Sequence, residues 1–138
     1  MRLLRNGLVL LLLCTGCVDL REQRRMRAAM AELGRAVARR DSAGAARLLH
    51  DPRTVGMLLR ADSADPHLIR DLGATLRLYE VDDLEWGAIV YGDFWHCRVR
   101  ERISIQFVRA GQEWRVGRFQ MPDRDLGGLK DACGHDAV

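Results

Sequence analysis

The feature that most constrains the fold is a change in the spacing of apolar residues part-way along the chain. Up to about residue 79, apolar side chains recur every three or four positions, which is the spacing of helices with one buried face. From about residue 84 they recur at every second position, the spacing of strands with one buried face. Helices followed by strands predict an α+β domain, in which N-terminal helices pack on a curved antiparallel meander sheet.

The first two predicted helices lie close together. The first covers residues 19–40, and its apolar stripe consists of Met26, Met30, Leu33 and Val37. The second covers residues 43–49, and Asp41-Ser42 is placed to cap its first turn.

A third helix is predicted from Asp65-Pro66 to Tyr79, because a proline is favoured at the first helical position. Residues 51–60 fit either a helical turn or a short strand. Residues 61–65 predict a loop.

The strand pattern predicts a meander of three strands. One face of the first strand carries Leu84, Trp86, Ala88 and Val90, and Gly92-Asp93 forms the following turn. One face of the second strand carries Trp95, Cys97, Val99, Ile103, Ile105 and Phe107. A turn at residues 110–112 leads to a third strand with Trp114, Val116 and Phe119, kinked near Gly117.

The first residues have the organisation of an export signal. Arg2 and Arg5 precede an apolar run from Gly7 to Leu13. That run is shorter than the roughly 20 residues of a membrane-spanning helix. Leu13-Cys14-Thr15-Gly16-Cys17 then resembles the lipobox of bacterial lipoproteins, in which the cysteine is diacylated and becomes the new N-terminus.

This resemblance implies a signal peptide over residues 1–16 and a membrane anchor through lipid, such as palmitate, on Cys17. The folded part would face the periplasm or the cell exterior. Ordinary cleavage with secretion, or an uncleaved start, are the alternatives. We expect one domain over residues 17–121 and a C-terminal tail over residues 122–138.

The charge of the exported part argues against nucleic-acid binding. The whole chain has a net charge of +3, but residues 1–16 contain two arginines and no acid. The remaining 20 basic and 19 acidic residues give a net charge of +1. Residues 18–40 are locally basic, with a net charge of +4, which fits attraction to lipid head groups or simply the solvated face of a helix.

The cysteines predict a disulfide. If Cys14 is removed and Cys17 takes the lipid, Cys97 and Cys133 remain as a pair in an oxidising compartment. Their bond would close a loop of about 36 residues and contribute about 3–4 kcal/mol. Two unpaired thiols are the alternative. The spacing of these cysteines and the nearby histidines matches no zinc or haem motif, so we expect no metal and no cofactor.

The order of elements resembles a known superfamily. A helix ending Arg39-Arg40-Asp41-Ser42-Ala43-Gly44, a helix near residues 66–79 and a meander ending Gln112-Glu113-Trp114-Arg115-Val116 look like the nuclear transport factor 2-like superfamily. The resemblance covers residues 20–121 and implies a bent sheet around helices, forming a cone with a pocket. It does not by itself decide the function, because members of that superfamily include isomerases, dehydratases, cyclases and proteins without catalysis.

Three functions fit the sequence. The first is a domain without enzymatic activity that binds a small apolar ligand or an envelope protein at the pocket rim or at a sheet face bearing Arg98, Arg100 and Arg102. The second is an isomerase, dehydratase or cyclase in which Glu101 acts as general base, because strand alternation turns Glu101 toward the helices. The third is an accessory protein that forms a homodimer through the sheet.

Three structural alternatives for Glu101 do not involve catalysis. A bulge could turn it outward, the sheet could end there, or an arginine could pair with it. His50, His67 and His96 are interpreted as surface or loop residues.

Overall fold

The computed structural model describes residues 2–122, with side chains from residue 20 onward. Four helices come first: α1 (Arg2–Ala38), α2 (Ser42–Leu48), α3 (Val55–Ala64) and α4 (Leu68–Thr75), with a short 3-10 helix at Pro52–Thr54. Four strands follow: β1 (Arg77–Leu84), β2 (Gly87–His96), β3 (Val99–Ala110) and β4 (Glu113–Gln120). They form one antiparallel sheet in the order β1-β2-β3-β4. The α+β class is therefore confirmed.

Helix α1 buries the stripe that its spacing predicts. Met26, Met30, Leu33 and Val37 are all fully buried in the core. Within the described part of the chain, no helix has the length and apolar character needed to cross a membrane.

The cap of α2 is also confirmed. The Asp41 side chain accepts a hydrogen bond from the Gly44 N–H at 2.9 Å and satisfies one of the donors left over at the helix start. After α2, Leu49 forms a parallel bridge with Val116, and the His50 N–H donates to the Val116 carbonyl at 2.9 Å. This segment covers the outer edge of β4.

Residues 51–60, for which the sequence fits either a helical turn or a short strand, are helical over most of their length. Asp51 accepts a hydrogen bond from the Arg53 N–H, and α3 follows the 3-10 turn directly. The loop predicted at residues 61–65 is wrong for most of its length, because α3 continues to Ala64. Residues 61–64 are alanine, aspartate and serine, which a helix accommodates. The Ser63 hydroxyl donates a hydrogen bond to the Leu59 carbonyl one turn earlier.

Helix α4 is shorter than predicted at both ends. It begins at Leu68, because His67 has a left-handed backbone with φ of 69°. It ends at Thr75, so the predicted extension to Tyr79 is wrong. Tyr79 instead lies in β1 at a register shift, with its side chain 61% exposed. The irregular strand hides the alternation that would have indicated β1 in the sequence.

The turn between β2 and β3 lies five residues later than predicted. Gly92 and Asp93 are inside β2, paired with β1 on one side and β3 on the other. The turn is Cys97-Arg98, whose φ angles of 49° and 66° match the left-handed pair of a two-residue hairpin. Gly92 is required for close strand contact instead, since a Cβ there would lie 2.2 Å from the Arg77 carbonyl oxygen.

This shift changes which side chains point inward. The face predicted to hold Trp95, Cys97 and Val99 together with Ile103 is wrong at its start, because Trp95 lies on the outer face with Arg100. Val99 keeps the side of Ile103 but is exposed at the end of the strand. Phe94 and His96 are buried in their place.

The sheet has four strands where three were predicted. Leu84 ends β1 and the exposed Trp86 lies in the β1–β2 turn, so they do not share one strand face with Ala88 and Val90. The later features of the sheet follow the prediction. The last turn is at Gly111, which has φ of 65°. Two residues of β4, Gly117 and Arg118, lie opposite Gln106 of β3, which is the kink expected there.

The core lies between the helices and one face of the sheet. Helices α1 and α4 approach so closely that a Cβ on Gly73 would lie 2.4 Å from the Met30 carbonyl oxygen. Against this pair the sheet packs large side chains, with Phe94 and Phe107 both fully buried. The opposite face of the sheet, called the outer face below, has no helix on it among the described residues.

Candidate functional site

The predicted catalytic and binding residues lie at one end of the sheet, the β2–β3 hairpin. Arg98 is in the turn, exposed to solvent. Arg100 and Arg102 are exposed on the outer face of β3. Glu101 is on the core face and 8% exposed, as strand alternation predicts.

The hairpin also contains a buried histidine that the sequence analysis misplaced. His96 was interpreted as a surface or loop residue, but it is 1% exposed. Its Nε2 lies 2.7 Å from Asp65 Oδ1, and its Nδ1 lies 2.8 Å from Asp71 Oδ2. The imidazole therefore joins the last strand residue of β2 to the segment that starts α4.

Local structure positions the two carboxylates. Asp65 ends α3, and its carbonyl accepts a hydrogen bond from the Leu68 N–H, while Asp71 is in the first turn of α4. One helical turn later, the Thr75 hydroxyl accepts a hydrogen bond from the Trp95 N–H at 2.8 Å. Helix α4 is thus attached to the end of β2 at two successive turns.

The electrostatics favour a charged imidazole. Burial lowers the pKa of His96, but hydrogen bonds and charge from Asp65 and Asp71 outweigh it, so the pKa is raised above its ordinary value of 6.5. As an imidazolium, His96 donates one N–H to each carboxylate. Both ring nitrogens are then engaged, and His96 serves as an ionic clamp between α4 and the sheet rather than as a base for a substrate.

On the outer face the hairpin carries an ion pair between the buried Asp93 and the exposed Arg100. Asp93 is 2% exposed, and the Arg100 Nε donates to its Oδ2 at 2.6 Å. Arg102 lies directly across from Asp93, and Trp95 directly across from Arg100. Asp93 Oδ1 has no hydrogen-bond partner among the residues that the structure describes.

Cys97 is disulfide-bonded. Its predicted partner, Cys133, lies outside the described residues, so that pairing stays a prediction. Over residues 20–122, no group of three or more histidine, cysteine, aspartate or glutamate side chains is arranged to hold a metal ion.

A small cleft lies at the other end of the sheet. Its volume is about 150 Å³, and it lies between α1 and the β3–β4 turn. The Trp114 Nε1 donates to Glu22 Oε2 at 2.6 Å, and the Arg109 guanidinium is 4.4 Å above the Trp114 ring. Arg25 and Glu113 complete a polar lining, which does not include Glu101.

Part of this arrangement could have been found from the sequence. The acids Asp65 and Asp71 flank the start of a predicted helix, a position where carboxylates are favoured. The misplaced turn concealed His96, because it gave the wrong inward parity to the residues between Asp93 and the actual turn at Cys97. Comparison with known proteins gives no significant match to a family model, to a curated protein or to a solved structure.

Proposed function

We propose that this chain is an exported bacterial lipoprotein, anchored through lipid on Cys17, whose domain acts by binding a protein of the cell envelope. The observation that carries the binding proposal is the outer face of the β2–β3 hairpin. There Trp95, 47% exposed, stands beside the exposed Arg98, Arg100 and Arg102. We name these four residues the hairpin patch.

The composition of the hairpin patch is that of a protein-binding surface. Tryptophan and arginine are the residues most enriched among those that dominate binding energy at protein interfaces. Arg100 is held in place by Asp93, so part of its side chain is ordered before any partner arrives. Asp93 pairs with Arg100, and the charge of Arg98 in the turn is exposed to solvent, which favours an acidic partner surface.

A protein partner suits the described residues better than a small apolar ligand. Bound drug-sized ligands occupy pockets of roughly 300–1,000 Å³ with mostly apolar walls. The cleft beside Trp114 is smaller, at about 150 Å³, and is lined mainly by charged and polar groups. Between the helices and the sheet, the space is occupied by side chains such as Phe94 and Phe107.

Export is supported by two independent features. The sequence from Gly7 to Cys17 resembles a lipoprotein signal. Cys97 is disulfide-bonded, a state that persists in oxidising compartments outside the cytoplasm. A nuclear transport factor 2-like fold is supported by the order of helices followed by a bulged meander.

A second candidate function keeps Glu101 as a general base. Its support is the burial of the carboxylate on the core face of β3, opposite Phe94. Such an enzyme would transfer a proton in an isomerase, dehydratase or cyclase reaction. Glu101→Gln preserves the shape and removes the base, so it should abolish any such turnover while leaving the fold intact.

Site-specific cross-linking in the envelope tests the binding function. A photoreactive amino acid at Trp95 should give an adduct that mass spectrometry identifies as a different envelope protein. The matched control is the same substitution at Trp86, 44% exposed in the β1–β2 turn, which should give no such adduct. An adduct only with a second copy of this chain would favour the homodimer, and equal labelling at both sites would refute a specific partner.

The anchor has its own test. Mass spectrometry of the membrane fraction should find the mature chain beginning at an acylated Cys17. An intact Met1 on the envelope-associated protein would contradict the lipoprotein proposal.

A further inference from the structure

The solvent-facing side of α1 is strongly basic. In its described part the exposed charged residues are five arginines, Arg21, Arg24, Arg25, Arg27 and Arg35, and one acid, Glu32. At about 100° per residue, Arg21, Arg24 and Arg35 fall within about 60° of one another around the helix axis. They lie opposite the buried stripe that includes Met26 and Met30. We name Arg21, Arg24 and Arg35 the arginine face.

The fold removes a potentially neutralising acid from this face. Glu22 lies on the inner flank of α1, where its Oε2 accepts a hydrogen bond from the buried Trp114 at 2.6 Å. Its other oxygen is 3.5 Å from Arg25, at the side of the arginine face. The exposed Glu32 lies about 20° from Arg21 around the helix axis, so this side of α1 keeps about two positive charges after the acid is subtracted from the three arginines.

The arginine face continues toward the proposed anchor. Residue 17 precedes Arg21 by four positions within the same helix, so the two positions lie one turn apart on one side of α1. A lipid at residue 17 would hold the first turn of the mature helix at the bilayer surface. Residues 21, 24 and 35 would then face the bilayer along the length of the helix.

We infer that the arginine face binds the surface of an anionic bilayer, so that α1 lies along the membrane that holds the lipid anchor. This inference rests on the proposed lipoprotein function and adds an orientation to it. Basic residues near an anionic surface each strengthen attachment, and the effect falls off within a Debye length. The outer face of the sheet is on the far side of the core from α1, so this orientation turns the hairpin patch away from the bilayer and toward the proposed envelope partner.

The test uses the full lipidated chain in vesicles. A fluorophore at Ala28→Cys, exposed between Arg24 and Arg35 on α1, reports contact with a nitroxide quencher on lipid head groups. A fluorophore at Ser104→Cys, on the outer face of β3, reports the opposite side. With phosphatidylglycerol in the vesicles, the label at residue 28 should be quenched and the label at residue 104 should not. In phosphatidylcholine alone, quenching at residue 28 should be lost.

Charge-matched variants separate the arginine face from general basicity. Arg21→Gln, Arg24→Gln and Arg35→Gln together should abolish quenching at residue 28 on anionic vesicles. The control combines Arg47→Gln, Arg60→Gln and Arg118→Gln, three exposed arginines on α2, α3 and β4, and should keep it. Equal loss in both variants would overturn the inference.

Flotation distinguishes this inference from the anchor on which it rests. A chain that floats with neutral vesicles but shows no quenching at residue 28 on anionic ones has its anchor and contradicts the arginine face. A chain that floats only with anionic vesicles, and only when residues 21, 24 and 35 are arginine, contradicts the anchor and supports the arginine face. Failure to float with either vesicle refutes both.

Discussion

His96 Nε2 lies 2.7 Å from Asp65 Oδ1, and both side chains are buried although 31 positions separate them in the chain. With Asp71 on the other ring nitrogen, this contact connects the end of α3, the start of α4 and the end of β2. Removing one partner of such a buried ion pair strongly destabilises the fold, because it leaves the other charge buried without compensation. The pair also fixes how the elements that it joins are arranged.

The contacts of His96 with Asp65 and Asp71 should make the protein less stable as the pH rises. Because the pKa of His96 is raised by folding, its contribution is complete below the ordinary value of 6.5 and is lost as pH rises through the folded value. Urea unfolding should therefore show a falling free energy of unfolding above that range. His96→Gln should remove this component, and an unchanged pH dependence in that variant would show that His96 is not its source.

The two carboxylates of the clamp should differ in importance. Asp65→Asn should lower the free energy of unfolding by about 2–3 kcal/mol, because a buried charged hydrogen bond is lost. Asp71→Asn should cost about 1 kcal/mol, since its side chain is 26% exposed and water can compensate. Urea denaturation measures both, and a larger loss for Asp71→Asn would contradict the assigned burial.

Close packing of α1 on α4 depends on Gly73. In Gly73→Ala the new methyl group meets the Met30 backbone, which cannot move independently, so we expect a loss of about 1–3 kcal/mol. Gly56→Ala is the matched control in α3. Its methyl group meets only the flexible end of Arg60 at 3.4 Å, and better helix propensity should add up to about 1 kcal/mol. Similar changes in both variants would disprove the close α1–α4 contact.

The hairpin turn should be improved by glycine. Arg98 has φ of 66°, a left-handed conformation that costs a side-chain-bearing residue about 1–2 kcal/mol. Arg98→Gly should therefore raise the free energy of unfolding by about 0.5–1 kcal/mol, after the greater freedom of glycine in the unfolded chain is subtracted. Ser104→Gly, in the middle of β3, should lower it by a similar amount. Thermal unfolding of the two variants provides the comparison.

The core stripe of α1 and the cap of α2 could be predicted because their signals are local. Met26, Met30, Leu33 and Val37 repeat at helical spacing, and Asp41 stands directly before the helix that it caps. Strand β1 could not be predicted in this way. Its inward residues are Leu78 and Val81, which are three positions apart because the strand is irregular between them. That spacing imitates a helix.

The candidate site was only partly predictable for a related reason. The inward position of Glu101 follows from counting back along β3 from Ile103. The position of His96 depends on the Cys97-Arg98 turn, which contains neither glycine nor asparagine and so gives no turn signal. Its contacts with Asp65 and Asp71 join distant parts of the chain, which spacing alone does not indicate.

The two borders of the sheet determine how another molecule can approach it. The β4 border is occupied by Leu49 and His50, and the β1 border is interrupted at Tyr79 and carries exposed Glu80, Asp82 and Asp83. Irregular, acidic borders discourage the addition of a further strand and so protect the protein from polymerising through its sheet. Pairing of another backbone along either border is therefore disfavoured, which leaves side chains on the strand faces of the described residues as the groups that another molecule could contact.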